Sequence, residues 1–387
     1  VQRHHTSASA FDPDTLGPTQ REFHQALTLP GACFHDQAVF ELERTALFAS
    51  GWHIVARAED LASVGSFRRV DVCGESVLLV RSEQGVGAWY NVCLHRGSRL
   101  LDAQQGLLAQ GQIRCPYHAW CYALDGRLTH VPRGVANSEL GLKPVRLAEW
   151  GGYLLVNLDE QAPSLAQTWS DLPDLSAYRM PSLRRAHRES YQVAANWKLI
   201  GENYSECYHC PGAHPQLSRI SDYIEDHDAC GVEAGICFNG GPMRLREGFS
   251  TMSMTGQERL APSPALAERD RRIVLYYLVY PNIFISPHPD YVLMHWLTPL
   301  APDRTRVDCE WLVAPESLSD REAISDIVEF WHLTNRQDWA LCERNHDGVI
   351  SRAFQPGAYH ESETCVHAFD RWYATWLEQA WRRAHAG

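Results

Sequence analysis

Two short clusters, Cys93-Leu94-His95 and Cys115-Pro116-Tyr117-His118, with nineteen residues between them, set the tightest limit on what this chain can fold into. Cys and His paired in this way act as metal ligands when both pairs sit at loop tips, because thiolate and imidazole can then converge on one centre. The surrounding sequence supplies such tips. β-prone runs at 67–72, 76–81 and 86–91 alternate with the turn signals Cys73-Gly74-Glu75 and Glu83-Gln84-Gly85, and further runs follow at 112–114, 120–124 and 152–158. This is the pattern of a small antiparallel unit. The residues alone admit three readings: Cys and His buried without a metal, a structural zinc, or a [2Fe-2S] cluster with two thiolates on one iron and two imidazoles on the other.

The chain is far longer than such a unit needs. The Pro-, Ser- and Asp-rich stretch 161–181 reads as a connector, after which Asn196 can cap a helix running through Trp197-Lys198-Leu199 towards His209 and ending at Pro211-Gly212. His209 and His214 are five residues apart, a spacing that one straight helix would not align; the Pro-Gly break lets both rings turn inward. Two His and one carboxylate, with the other positions open, are the ligand set of non-haem Fe(II) oxygenases. The carboxylate expected is Asp338. It follows Trp331 by seven residues and Ile324 by fourteen, on the apolar face of a long helical pattern after Ser319, where an ionised group is costly to bury unless a metal or cation meets it. Glu343 and Asp347 are its rivals. Runs at 273–280, 282–286, 291–299 and 304–313, with turns at His288-Pro289-Asp290 and Ala301-Pro302-Asp303, predict a strand meander.

Cys93-Leu-His95-Arg96-Gly97 with Cys115-Pro-Tyr-His118-Ala119-Trp120 resembles the Rieske fingerprint of bacterial oxygenases and ferredoxins. Respiratory Rieske proteins usually carry further Cys after each pair; here Ser98 and Tyr117 stand at those positions. Asn196-Trp-Lys198, Glu202-Asn-Tyr204, Glu206-x-x-His209, His214-Pro215 and Asp338-x-x-x-x-Glu343 resemble the catalytic domain of Rieske non-haem iron oxygenase α-subunits, so the resemblance runs from about Phe40 to Arg352. It implies an α+β chain in which an antiparallel β Rieske domain (48–160) is inserted in a helix-grip catalytic domain (161–387), an antiparallel sheet around a long helix, with 1–47 packing on the latter. It implies a [2Fe-2S] cluster on Cys93, His95, Cys115 and His118, and a mononuclear Fe(II) on His209, His214 and Asp338.

The resemblance also implies a ring of subunits, commonly three, that brings each cluster beside its neighbour's iron. Glu206 would bridge them by bonding His209 on its own side and His118 of a neighbour, and Asn203 would be a polar group near the iron. An NAD(P)H-dependent flavin/iron-sulfur reductase would supply electrons, with O₂ and a small molecule as substrates. Most ring-hydroxylating members have Asp where Glu206 stands. Glu206, with 211–218, 287–291 and 333–339, is most similar to the monooxygenases of glycine betaine and other quaternary ammonium compounds, which hydroxylate an N-methyl group and release formaldehyde. An aromatic ring-hydroxylating dioxygenase and a Rieske electron carrier are the alternatives. Quaternary ammonium is recognised by aromatic faces; Tyr204, Tyr208, Tyr277, Phe284 and Trp296 lie near the motifs or on the expected sheet, and the sequence does not say which face inward.

Composition narrows the partners. A net charge of −12, with no clustered Lys and Arg, argues against nucleic acid. The longest apolar stretch, 275–287, is interrupted by Pro281 and Asn282, and the first thirty residues lack an apolar signal core, so no membrane span is expected. Twelve scattered Cys lack the density of a stapled secreted scaffold and point to a reducing cytoplasm, most of them as small buried apolar residues.

Overall fold

The computed structural model describes residues 11–108, 110–137, 139–221 and 233–385. Contacts divide the chain into two units, 44–168 and 11–43 with 169–385. The divisions thus follow residues 43 and 168, where the sequence suggested 47 and 160; the first ten residues of the expected N-terminal segment lie outside the described residues.

The described residues of the unit 44–168 form ten strands: β1 His53–Arg57, β2 Ser66–Val72, β3 Glu75–Ser82, β4 Gly85–Tyr90, β5 Gln105–Leu107, β6 Gln112–Arg114, β7 Cys121–Ala123, β8 Leu128–His130, β9 Arg146–Trp150 and β10 Tyr153–Asn157. They pair antiparallel in three sheets, β4-β3-β2-β5, β1-β10-β9 and β6-β7-β8. The run Val77-Leu-Leu-Val80 explains why β3 is central, since a strand apolar at consecutive positions must be covered on both faces. Leu78 and Val80 pack with Trp89, Ile113, Tyr122, Cys93 and Cys115, while Val77 and Leu79 pack with Ala56, Leu61 and Val156.

Among the described residues of the other unit, seven strands form one antiparallel sheet: β11 Arg184–Val193, β12 Glu233–Ala234, β13 Phe238–Arg244, β14 Ile273–Val279, β15 Ile283–Pro287, β16 Val292–Ala301 and β17 Arg304–Val313, in the order β11-β17-β16-β15-β14-β13-β12. The meander β14 to β17 is the one the turn signals mark. Strand β11 is not visible in the sequence, because its charged residues mask it. Arg185 and Arg188 pair with Glu310 and Asp308 of β17, at 2.9 and 3.1 Å.

Besides two short helices at Ala32–His35 and Gln37–Leu42, the described residues of this unit form helices α1 Trp197–Tyr204, α2 Cys210–Ala213, α3 Pro215–Ile220, α4 Arg321–Val349 and α5 Thr364–His385. Asn196 caps α1 as expected, accepting the Lys198 N–H at 3.1 Å. The helix does not continue to His209, however. It ends at Tyr204, and Pro211-Gly212 lie inside the separate turn α2, near whose start proline is favoured rather than disruptive. Helix α4 is capped by Asp320, which accepts the Ala323 N–H at 2.9 Å, one residue after Ser319. Its face Ile327, Phe330 and Trp331 packs against Tyr291, Leu293 and Trp311 of the sheet side.

Fully buried Lys198 of α1 lies 2.6 Å from Glu43, which also accepts from the Trp197 indole at 3.0 Å, and this joins the segment 11–43 to α1. Removing one partner of such a pair costs about 3–5 kcal/mol, since the other charge is left buried alone. Among the described residues no helix is long and apolar enough to cross a membrane.

Candidate metal centres

In the unit 44–168 the two ligand pairs lie on two loops of similar form. The first is closed by the Cys93 N–H to the Ser98 carbonyl (2.8 Å) and the Gly97 N–H to the Cys93 carbonyl (3.0 Å), with Gly97 at φ +70°. The second is closed by Cys115 N–H to Trp120 and Ala119 N–H to Cys115, at 2.8 and 3.1 Å. Both Cys are buried, whereas His95 is exposed and His118 half-buried. Their rings are 4.5 Å apart, centroid to centroid, and His95 stacks on Trp120 at 4.8 Å.

Two sulfurs inside and two imidazoles outside suit a cluster with unlike ends better than one tetrahedral ion. The Tyr122 hydroxyl lies 3.2 Å from Cys93 Sγ and accepts the Leu94 N–H at 3.1 Å. Burial pushes the Cys115 thiol up, but hydrogen bonds from the Tyr117 and His118 N–H groups more than offset it and leave it lowered. Donors aimed at sulfur are what a cluster-bound thiolate accepts. The four expected ligands therefore fit the cluster.

In the second unit α1 ends where the Ser205 hydroxyl bonds back to the Gly201 carbonyl at 2.7 Å. The chain then makes a turn held by the Glu206 carboxylate, which accepts the N–H groups of Tyr208 and His209 and meets His209 Nδ1 at 2.5 Å. His214 Nδ1 meets Gln337 Oε1 at 2.8 Å. With both Nδ1 atoms held, both Nε2 atoms face Asp338 Oδ1, at 3.2 Å from His209 and 2.8 Å from His214. Neighbouring ligands bound at roughly 2.1 Å in an octahedral field stand about 3 Å apart, so the three atoms fit one metal ion. Without such an ion, burial lowers the His209 imidazole, but hydrogen bonds to Asp338 and Glu206 outweigh this and raise it to about 10.

Asn203 Nδ2 lies 3.4 Å from His209 Nε2. The rivals of Asp338 are engaged elsewhere or exposed: Glu343 accepts the Ala194 N–H at 3.0 Å, and Asp347 faces solvent.

A cavity opens beside these atoms, lined among others by Asn203, Tyr204, Glu206, Tyr276, His295, Trp331, Asn335, Asp338 and Trp339. Of the aromatic residues singled out in the sequence only Tyr204 lines it. Phe284 stacks beneath Tyr204 at 4.1 Å, Tyr208 is exposed and stacks on His360, Tyr277 packs on Phe238, and Trp296 lies under Arg188. Sequence reasoning missed Gln337, Tyr276, Trp331 and Trp339. Gln337 and Trp339 could have been found from their places on either side of Asp338; no such signal marks Tyr276 and Trp331. It also missed a disulfide between Cys207 and Cys210, which border the same cavity, although C-x-x-C spacing was there to be read.

The model for the Rieske [2Fe-2S] domain matches residues 51–145, and that for the ring hydroxylating alpha subunit (catalytic domain) matches 180–379. The glycine betaine monooxygenase oxygenase subunit of Pseudomonas aeruginosa is 30% identical over 387 residues, covering 92% of this chain and 90% of the relative. The carnitine monooxygenase oxygenase subunit of Escherichia coli is 40% identical over 206 residues, covering 50% of this chain and 54% of that protein. The fold is similar to that of the quaternary ammonium Rieske monooxygenase CntA, with a TM-score of 0.75 at 24% identity over 95% of this chain and 98% of the other. The chain belongs to the ring-hydroxylating α-subunit family of Rieske oxygenases, oxidoreductases that carry a Rieske [2Fe-2S] cluster and a mononuclear iron and work with a reductase on a small-molecule substrate.

Proposed function

We propose that this chain is the oxygenase component of a monooxygenase that hydroxylates an N-methyl group of a small, betaine-like quaternary ammonium compound. The observation that carries this reading is the lining of the cavity. Tyr204, Tyr276, Trp331 and Trp339 offer aromatic faces, Glu206 and Asp338 are acidic, and no Lys or Arg is among the described lining residues. The stretch 222–232, outside the described residues, contains none either. A permanent cation without N–H groups is bound by such a wall through cation–π attraction, worth about 2 kcal/mol where water is excluded. The buried Tyr276 hydroxyl, which meets no partner among the described residues, and His295 beside Asn335 can meet a polar end of the substrate. The names of the relatives point to the same substrate class.

In this reading Cys93, His95, Cys115 and His118 hold the cluster, and His209, His214 and Asp338 hold the iron. The iron supplies O₂ activation when bound. One oxygen atom enters a C–H bond of the N-methyl group, and the other leaves as water with two protons and two electrons. The hydroxymethyl product then divides into formaldehyde and a tertiary amine. The chain's own share is positioning. Glu206 and Gln337 fix both imidazoles with Nε2 towards the metal, as partners of metal-bound histidines do, and Asn203 sets a polar group beside them.

Electrons come from an NAD(P)H-dependent flavin/iron-sulfur reductase, and chains assemble as a homotrimer in which Glu206 meets a neighbour's His118. The experiment is a screen of glycine betaine, carnitine, choline and proline betaine, with naphthalene as an aromatic comparison and a reductase present, for substrate-stimulated O₂ uptake and formaldehyde. The expected result is formaldehyde equal to O₂ consumed for one of them. Conversion of an aromatic ring to a diol without formaldehyde would replace this reading with that of a ring dioxygenase, and cluster reduction without O₂ uptake on any substrate would leave an electron carrier.

A further inference from the structure

Cys207 and Cys210 are joined by a disulfide that spans Tyr208 and His209, inside the turn that carries Glu206 and His209. Both border the metal cavity, and Cys210 Sγ lies 3.9 Å from His209 Nε2, one of the atoms facing the metal. Burial does not explain the pairing. Of the nine other cysteines of the described residues, Cys93 and Cys115 are the expected cluster ligands, and the remaining seven are free, Cys365 of the same cavity among them. What distinguishes Cys207 and Cys210 from those seven is their spacing, which puts a second thiol within reach of the first.

We propose that Cys207 and Cys210 are a reversible redox modification site in the wall of the iron cavity, taking a peroxide as oxidant and a dithiol as reductant. Two thiols and one hydrogen peroxide give one disulfide and two waters. One thiolate attacks a peroxide oxygen, the O–O bond breaks, and the leaving hydroxide takes a proton to become the first water. The second thiol attacks the resulting sulfenic sulfur, the S–S bond forms, and the second water leaves. A dithiol reverses this by exchange and leaves as its own disulfide. Peroxide is small enough to enter through the cavity, and Cys365, free among the described residues, lacks the second thiol three residues away that completes the second step for Cys207 and Cys210.

The consequence is local. In the oxidised form a covalent link closes the turn whose N–H groups grip Glu206 and whose ring His209 faces the metal. In the reduced form only hydrogen bonds hold it. The redox state thus sets the stiffness of the link between Glu206 and His209, whatever the substrate is.

The test uses the full chain. After reduction with a dithiol and removal of the reductant, the protein is exposed to stoichiometric hydrogen peroxide, free thiols are alkylated, and the peptides are weighed. The expected result is that the peptide holding Cys207 and Cys210 is doubly alkylated before peroxide, unalkylated and lighter by two hydrogens after it, and doubly alkylated again after a second reduction, while Cys365 keeps its label. Cys207→Ser and Cys210→Ser should each leave a thiol that forms no intramolecular disulfide. Hydrogen exchange at the Tyr208 and His209 amides should quicken on reduction of the wild-type chain. Full alkylation of both cysteines after peroxide would overturn the proposal, as would unchanged amide exchange between the two states. A failed search for a betaine substrate would not touch it.

Discussion

Asp338 shows how a single carboxylate can be singled out by cost. On the cavity side of α4 its Oδ1 is met, among the described residues, by His209 and His214, whereas Glu343, five residues further on, holds the Ala194 N–H. Asp338→Ala should therefore weaken iron binding by more than the roughly 10–100-fold typical of losing a group that only orients a ligand, and Gln337→Ala should fall within that range. Glu343→Ala should cost about 1 kcal/mol of stability with iron affinity kept. Iron titration of the three variants checks this, and an iron-replete, active Asp338→Ala protein would move the assignment.

Asp290 makes a different prediction. Burial raises its carboxyl to about 7, against the lowering effect of the Thr251 hydroxyl that it accepts at 2.8 Å. With a raised folded value the folded state keeps a proton that the unfolded state has lost, so stability is full below about pH 4 and falls as pH rises to about 7. A displacement of this size corresponds to about 4 kcal/mol at most. Asp370, buried beside Glu202 and also raised to about 7, acts in the same direction. Denaturation across this range should show a shallower fall for Asp290→Asn than for wild type; an unchanged slope would refute the account.

Among the elements, β13 is where conformation and cavity depend on one residue. Gly240 has φ +141°, and a Cβ there would stand 1.8 Å from the Tyr276 carbonyl oxygen of the paired strand β14. Backbone cannot swing aside as a side chain can, so Gly240→Ala should cost about 1–3 kcal/mol or more and displace Tyr276 from the cavity wall. A lower unfolding temperature of this unit, with the visible spectrum of the cluster intact, is the expected measurement.

Elements with strong periodicity or turn signals were legible before the structure: β2 to β4, the meander β14 to β17, and α4 with Asp338 on its inner face. Strand β11 was not, because an edge strand that pairs through Arg185 and Arg188 reads as a charged loop. The end of α1 was misread at Pro211-Gly212, since proline near a helix start and proline as a breaker look alike in sequence. The motif residues His209, His214, Glu206 and Asn203 were visible because they are local. Tyr276 and Trp331 were not, because which ring faces a cavity depends on contacts between β14 and α4.

At the scale of the whole molecule, the two metal centres lie in different units of the chain. We propose that they work as one enzyme through Glu206, whose Oε1 already holds His209 Nδ1, with the cluster of one subunit serving the iron of the next. Glu206→Gln keeps the shape of the side chain and removes the charge, so the cluster should still reduce while turnover falls. His118→Ala removes a proposed cluster ligand. The direct measurement is substrate turnover in oligomers reassembled from equal amounts of Glu206→Gln and His118→Ala chains. Some interfaces in the mixture then pair an intact Glu206 with an intact His118, and activity that neither parent shows should return. If electrons pass only within a chain, every chain is defective and the mixture stays as inactive as its parents, which would contradict the account.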